Sequence, residues 1–208
     1  MEIYNLSSGS WGSNCYVLIS ESGSDLRQAA IVDPSADAHD IIGFVKEKGA
    51  SIKCIILTHG HFDHVTHLDD LRDACGAPAY IHKDDNEMLQ DGKKNAHALF
   101  FGRDKSWRDA DVLMEDGDEI ILGEETIRVI STPGHSKGSV CLLCGDKLIT
   151  GDTLFDGGYG RYDLHGGDPE KLASSLSALR ELDGGLTIYP GHGGKALLGI
   201  ALDKIYYI

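Results

Sequence analysis

Apolar residues in this chain fall into two rhythms. Short runs of four to six residues recur between glycine-containing breaks, at 14–19 (NCYVLI), 28–32 (QAAIV), 52–57 (IKCIIL), 78–82 (PAYIH), 119–122 (EIIL), 125–130 (ETIRVI), 139–144 (SVCLLC), 147–150 (KLIT) and 186–189 (LTIY). Runs of this length and composition predict strands. Fewer stretches follow the helical period. Residues 36–48 carry Ala38, Ile41, Ile42 and Val45 and stop at Gly49. Residues 169–183 begin with Asp168 as N-cap and Pro169 at the first helical position, bury a stripe of Leu172, Leu176 and Leu179, and meet Gly184. A third helix is predicted from Thr66, where Thr66-His67-Leu68-Asp69 loosely matches a capping box with Asp in place of Glu or Gln. Many strands and few helices imply sheets with helices covering their outer faces. Residues 91–118 show little period although they hold Phe100, Phe101 and Trp107. They read equally as a mobile flap over a site or as an irregular packed loop.

Composition narrows the function classes. With 208 residues and 41% hydrophobic content, the chain can bury a sizeable core, and a single domain over 1–208 is expected. The start, MEIYNLSSGSWGSNCYVL, lacks a basic leader followed by a long apolar core, and no apolar run approaches the ~20 residues of a membrane span. A soluble, cytoplasmic protein without a membrane partner is expected. A formal net charge of −14 argues against nucleic-acid binding, which needs Lys and Arg to neutralise phosphates. It is compatible with a bound divalent cation. Five cysteines do not suggest a disulfide framework. Cys141 and Cys144 have C-x-x-C spacing, but on a strand positions three apart face opposite sides, so both read as small apolar residues.

The chemistry lies where apolar runs end. Ile55-Ile56-Leu57 gives way to His59, His61, Asp63 and His64 in ILTHGHFDHV. IRVISTPGHSKGS places His135 beyond another strand, KLITGDTLF places Asp152, and LTIYPGHGG places His192. Loops leaving a packed sheet on one side can gather distant residues over a rigid base. Gly60, Gly134, Gly151, Gly191 and Gly193 would allow sharp turns and close approach. Five His and two Asp are too many for one tetrahedral zinc. They suit two metal ions that share a bridging carboxylate.

THGHFDH resembles the T-H-x-H-x-D-H signature of the metallo-β-lactamase superfamily, and TPGHSKGS, TGDTLF and YPGHG resemble its later ligand turns, in the same order. The resemblance covers roughly residues 1 to 195. It implies an α/β fold of the four-layer αββα sandwich type, with the site at one edge. It also implies that His59, His61 and His135 hold one metal, that Asp63, His64 and His192 hold the second, and that Asp152 bridges them. Two divalent ions are expected, zinc first, with iron or manganese as alternatives. Within the superfamily the chain is most similar to the hydroxyacylglutathione hydrolase (glyoxalase II) group, through TGDTLFDGGYGRYDLHGGDPEKL. Two features depart from that group. Thr66-His67 stands where small residues are usual, so His67 is either an added group near the metals or an exposed helix residue. In addition, ALLGIALDKIYYI is too short to form the group's helical carboxyl-terminal glutathione-binding domain, so none is expected here.

The expected reaction is hydrolysis of a small-molecule thioester of the S-lactoylglutathione kind by a hydroxide held between the metals. Asp63 would serve as the catalytic carboxylate that orients it. Arg161 and Tyr162 in GYGRYD are the candidates for substrate binding, Arg161 through its planar fork of donors. The plainer reading of Arg161 is a surface residue paired to a neighbouring Asp. An alternative activity comes with the same resemblance: persulfide dioxygenases keep these motifs but use one Fe(II), held here by His59, His135 and Asp152.

Overall fold

In the computed structural model of the chain, residues 1–6, 12–21 and 27–205 are described. Two six-stranded sheets form the centre. The first runs in chain order through β1 (Glu2–Asn5), β2 (Tyr16–Ile19), β3 (Arg27–Val32), β4 (Ala50–Ile56), β5 (Ala79–His82) and β6 (Val112–Met114). Its first three strands are antiparallel and the remaining pairings are parallel. Parallel neighbours need a crossover, and α1 (Ala38–Glu47) and α2 (Leu68–Cys75) supply it. The second sheet contains β7 (Glu119–Leu122), β8 (Glu125–Ser131), β9 (Val140–Cys144), β10 (Lys147–Gly151), β11 (Thr187–Pro190) and β12 (Ala196–Leu197), again in chain order. Helix α5 (Pro169–Leu179) makes its single parallel crossover, from β10 to β11.

Strand alternation explains the layering. On the first sheet, Val17, Ile19, Ile31, Ile55 and Leu57 point to one side and pack with Ile41, Val45, Leu68 and Leu71 of α1 and α2. Their alternates Leu18, Ala30, Val32 and Ile56 point to the other side and meet Ile127, Val129, Val140, Leu142 and Ile149 of the second sheet. That sheet's opposite face, with Cys141, Leu148 and Ile188, is covered by Leu172, Leu176 and Leu179 of α5 and by α6 (Leu198–Asp203). Three cores separate four layers in the order αββα, the fold expected from the sequence. Each fully buried Leu or Ile contributes roughly 1.5–3 kcal/mol of transfer free energy, so the sandwich is a rigid base for its loops. Cys141 and Cys144 sit in different cores and both are free thiols, as their alternation implies. Among the described residues, no helix is long and apolar enough to cross a membrane.

All nine predicted strands form, with shifted ends. The strands β1, β6 and β12 were not predicted. They have four, three and two residues and lie at sheet edges, so the neighbouring strand defines them more than their own pattern does. The expected capping box of α2 does not form. The Thr66 hydroxyl donates to the Phe62 carbonyl (2.9 Å), and the helix begins two residues later with His67 as an N-cap that makes no side-chain cap bond. Helix α5 keeps its predicted start, where Asp168 accepts from the N–H groups of Glu170 and Lys171, but ends at Leu179 rather than 183. Residues 91–118 hold a one-turn helix that follows α3 (Asn86–Leu89), namely α4 (His97–Phe101), as well as β6. They are anchored by buried Trp107, whose N–H donates to the Leu89 carbonyl.

Candidate metal centre

Four loops bring the predicted ligands together. They follow β4 (His59, His61, Asp63, His64), β8 (His135), β10 (Asp152) and β11 (His192). His59, His61 and His135 form one group, with each pair of rings 4.7–4.9 Å apart between centroids. Asp63, His64 and His192 form a second. There, His192 Nε2 lies 3.2 Å from Asp63 Oδ2 and 3.3 Å from His64 Nε2. Asp152 stands between the groups. Its Oδ1 is 3.4 Å from His64 Nε2, and its Oδ2 is 3.7 Å from His135 Nε2 and 3.6 Å from His192 Nε2.

Hydrogen bonds on the far side of the rings set which nitrogens face inward. His135 Nδ1 donates to the Arg161 carbonyl (2.7 Å), which leaves its Nε2 lone pair bare. His64 Nδ1 donates to Asp33 Oδ2 (2.9 Å). His59 Nδ1 lies 3.1 Å from Thr58 Oγ1, whose own proton goes to Asp33 Oδ2 at 2.6 Å. His59 Nε2, His61 Nε2 and Asp152 Oδ1 are buried with no hydrogen-bond partner. His61 Nδ1 and His135 Nε2 face each other at only 2.9 Å. Buried polar atoms left in this way are costly unless a cation satisfies them.

The electrostatics agree. Burial first, and then the neighbouring imidazoles, hold His59 well below the ordinary histidine pKa and His61 down to about 3. Both are therefore neutral imidazoles at physiological pH, the form that can bind a cation. Burial opposes charge on His64, but Asp152, Asp63 and Asp33 outweigh it and raise its pKa well above the ordinary value. Burial likewise opposes charge on Asp152, yet His64 and its neighbours hold that carboxyl below the usual range. Three carboxylates crowding one imidazole call for a positive partner, which fits a pair of cations among these residues.

Two residues that the sequence reading missed hold the loops in place. Buried Asp33, just beyond β3, accepts from the Thr58 N–H (2.8 Å) as well as from the Thr58 hydroxyl and His64. Buried Asp85 ties two ligand loops together, accepting from the N–H groups of Gly60 (3.1 Å) and Gly138 (2.7 Å) and from the Ser136 hydroxyl (2.6 Å). Gly191 is required for close approach: a Cβ there would stand 2.1 Å from Asp152 Oδ1 and 2.7 Å from His64 Cε1.

The remaining candidates divide. Arg161 lines the cleft beside the cluster, but its Nε and Nη2 donate to both Asp163 oxygens (2.6 and 2.8 Å), the plainer of its two readings. Tyr162 is exposed and is not among the described cleft residues. His67 is partly exposed and lies 3.5 Å from Asp70, outside both ligand groups. His39 is a surface residue, whereas His82 and His97 are buried and hydrogen-bonded within the fold.

A family profile described as "Metallo-beta-lactamase superfamily" matches residues 9–192, which include all seven clustered side chains. The chain belongs to the metallo-β-lactamase superfamily. As a member it is a metal-dependent hydrolase, and its His/Asp cluster is the metal-binding centre. It is 38% identical over 183 residues to the "Probable metallo-hydrolase YqgX" of Bacillus subtilis (strain 168), covering 86% of this chain and 84% of that one. Among solved structures it is similar to the BLEG-1 B3 metallo-beta-lactamase, with a TM-score of 0.87, 32% identity and 97% of each chain covered. It is also similar to TTHA1623 in a di-iron-bound form, with a TM-score of 0.83, 30% identity, and 97% of this chain and 98% of that one covered. Superfamily membership accounts for the order of the ligand turns and for the sandwich beneath them.

Proposed function

We propose that this superfamily member hydrolyses thioesters at a two-metal centre, in the manner of the glyoxalase II group. The observation that carries this reading is the placement of Asp152 within 3.4–3.7 Å of ring nitrogens from both ligand groups, next to an open cleft. His59, His61 and His135 would hold one ion, Asp63, His64 and His192 the other, and Asp152 both. Zinc is the first choice for this donor set; the di-iron form of TTHA1623 makes iron the second. When bound, such ions supply a water of lowered pKa and a Lewis acid for a carbonyl oxygen.

The chain's own residues supply the rest. Asp63 borders the cleft and can orient the attacking water and take its proton. The Arg161 carbonyl and Asp33 keep His135 and His64 from rotating. In the overall step, the water oxygen joins the acyl carbon and the C–S bond breaks with its electron pair on sulfur. The products are a carboxylate, a thiol and one proton. A thiolate leaves without prior protonation, which suits a cleft whose described lining offers no separate general acid.

Metal content of the purified protein, measured by mass spectrometry beside a thioesterase assay, tests the reading. About two metals per chain with thioester cleavage is the expected result, and Asp152→Ala should lose both metal and turnover. One iron per chain with no thioester cleavage would overturn it in favour of persulfide oxidation. Cleavage of a chromogenic cephalosporin but of no thioester would overturn it in favour of β-lactam hydrolysis.

A further inference from the structure

The cleft beside the metal cluster has a volume of about 300 Å³. Away from the ligands its walls are Phe62, Ala96, Phe100, Phe155 and Leu164. Phe62 comes from inside the candidate ligand loop, between His61 and Asp63, and lines the cleft together with them. The rings of Phe100 and Phe101, on α4, each lie 5.4 Å from it and build an aromatic shelf. The shelf is fixed to the ligand loop, because the Phe62 N–H donates to the Asn95 carbonyl (3.0 Å) and buried Asn95 donates to the Lys105 carbonyl (3.0 Å). Phe100 is nevertheless 45% exposed, so the shelf forms the open wall of the cleft.

The cleft offers little fixed charge away from the metal centre. Among the described lining residues, Arg161 is the one permanent cation, and both oxygens of Asp163 already occupy its fork. Its Nε–Nη2 edge is thereby taken, which leaves only the Nη1–Nη2 edge to meet a substrate carboxylate. Asp63 and Asp152 at the floor would be offset by the cations they are proposed to hold, so the selectivity rests on the walls. An apolar acyl group gains from burial against the aromatic wall, whose Phe62, Ala96, Phe100, Phe155 and Leu164 side chains offer a polar hydroxyacyl group no hydrogen-bond partner.

We infer that the cleft selects thioesters by an apolar acyl group, aryl or compact branched alkyl, in preference to a polar hydroxyacyl group carried on glutathione. This deepens the thioesterase reading and rests on it.

The test uses the metal-loaded full chain with S-benzoyl- and S-acetyl-N-acetylcysteamine, which share a neutral leaving thiol, and with S-lactoylglutathione. The benzoyl thioester is expected to show a kcat/KM at least about 10-fold above both others, since apolar pockets discriminate on that scale. Phe100→Ala should cut the benzoyl-to-acetyl ratio by about 10-fold, and Leu164→Ala provides a second such change. Leu99→Ser, on the exposed side of the same helix, should leave the ratio alone. S-lactoylglutathione as the equal or better substrate would overturn the inference while the thioesterase reading stands. If no thioester is cleaved, that reading fails, and calorimetric binding of benzoate against lactate decides the cleft's preference. Benzoate at least 10-fold tighter would support an apolar site, and equal affinity would overturn it.

Discussion

Asp33 has a backbone φ of +52°, a left-handed conformation that Asp adopts more readily than most residues, and there it aims one carboxylate at three donors. Two of those donors steer ligands: His64 directly, and His59 through the Thr58 hydroxyl. Asp33→Ala would leave His64 Nδ1 and the Thr58 hydroxyl without their acceptor inside the protein. Metal affinity is expected to fall about 10- to 100-fold, the usual cost of losing such an outer partner, as read by zinc titration against a competing chelator. Unchanged affinity would show that packing alone orients the rings. The cysteines give a second prediction at this scale. Burial pushes the thiols of Cys15, Cys54 and Cys144 up to about 12 and that of Cys141 to about 11, so none is a thiolate at pH 8. Only half-buried Cys75 should react with a disulfide-exchange reagent in the native protein, and all five after denaturation. Two or more fast native thiols would contradict the described burial.

At the scale of elements, a short turn decides whether two sheet ends can share a ligand. Gly191→Ala would push its methyl group into Asp152 Oδ1 and His64 Cε1, with the Gly151 backbone 3.0 Å away. The protein should fold but bind metal at least 10-fold more weakly, measured by the same titration; near-native affinity would show that the β11 loop can retreat. The N-cap of α5 makes a milder case: Asp168→Ala removes the acceptor of two N–H groups and should cost about 1 kcal/mol in urea unfolding, with metal content unchanged. The same contrast explains what could be read from sequence. The ligand loops were legible because each places His or Asp within a few residues of an apolar run that could only be a buried strand. Asp33 and Asp85 were not, because an Asp after a strand, alone or beside Asp84, looks like any turn residue. Asp33 becomes special only when the parallel register of β3 and β4 sets it beside Thr58, and Asp85 only when two ligand loops close over it. The cleft wall was hidden for a related reason. Phe62 and Phe100 are 38 positions apart and belong to no shared period, and it is the folded loop that brings their rings together.

For the whole molecule, the proposed metal centre would double as a fastener between the sheets: the candidate ligands following β4 belong to the first, and those following β8, β10 and β11 to the second. A cation held by both exists only in the folded state, so its binding free energy adds to folding stability. With free metal at a thousand times its dissociation constant, one site adds about 4 kcal/mol. A chain of this size loses about 2–4 °C in Tm per kcal/mol, so stripping the metal should lower Tm by about 8–16 °C for each ion lost, and adding zinc back should restore it. His97→Ala offers the control. That imidazole is buried, stacked on Phe101 and outside both ligand groups, so its variant should lose some stability at every metal concentration yet keep the same response to chelation. Acid gives the last check. Imidazole ligands must shed their protons to bind metal, so protons compete with the cation more strongly as pH falls. The Tm gap between loaded and stripped protein should narrow between pH 7.5 and 5.5, because His64 and His192, whose pKa values are raised against burial by their carboxylate neighbours, take protons there while His59 and His61 stay neutral. A gap that stays constant across that range would mean that no cation is held by His64 and His192.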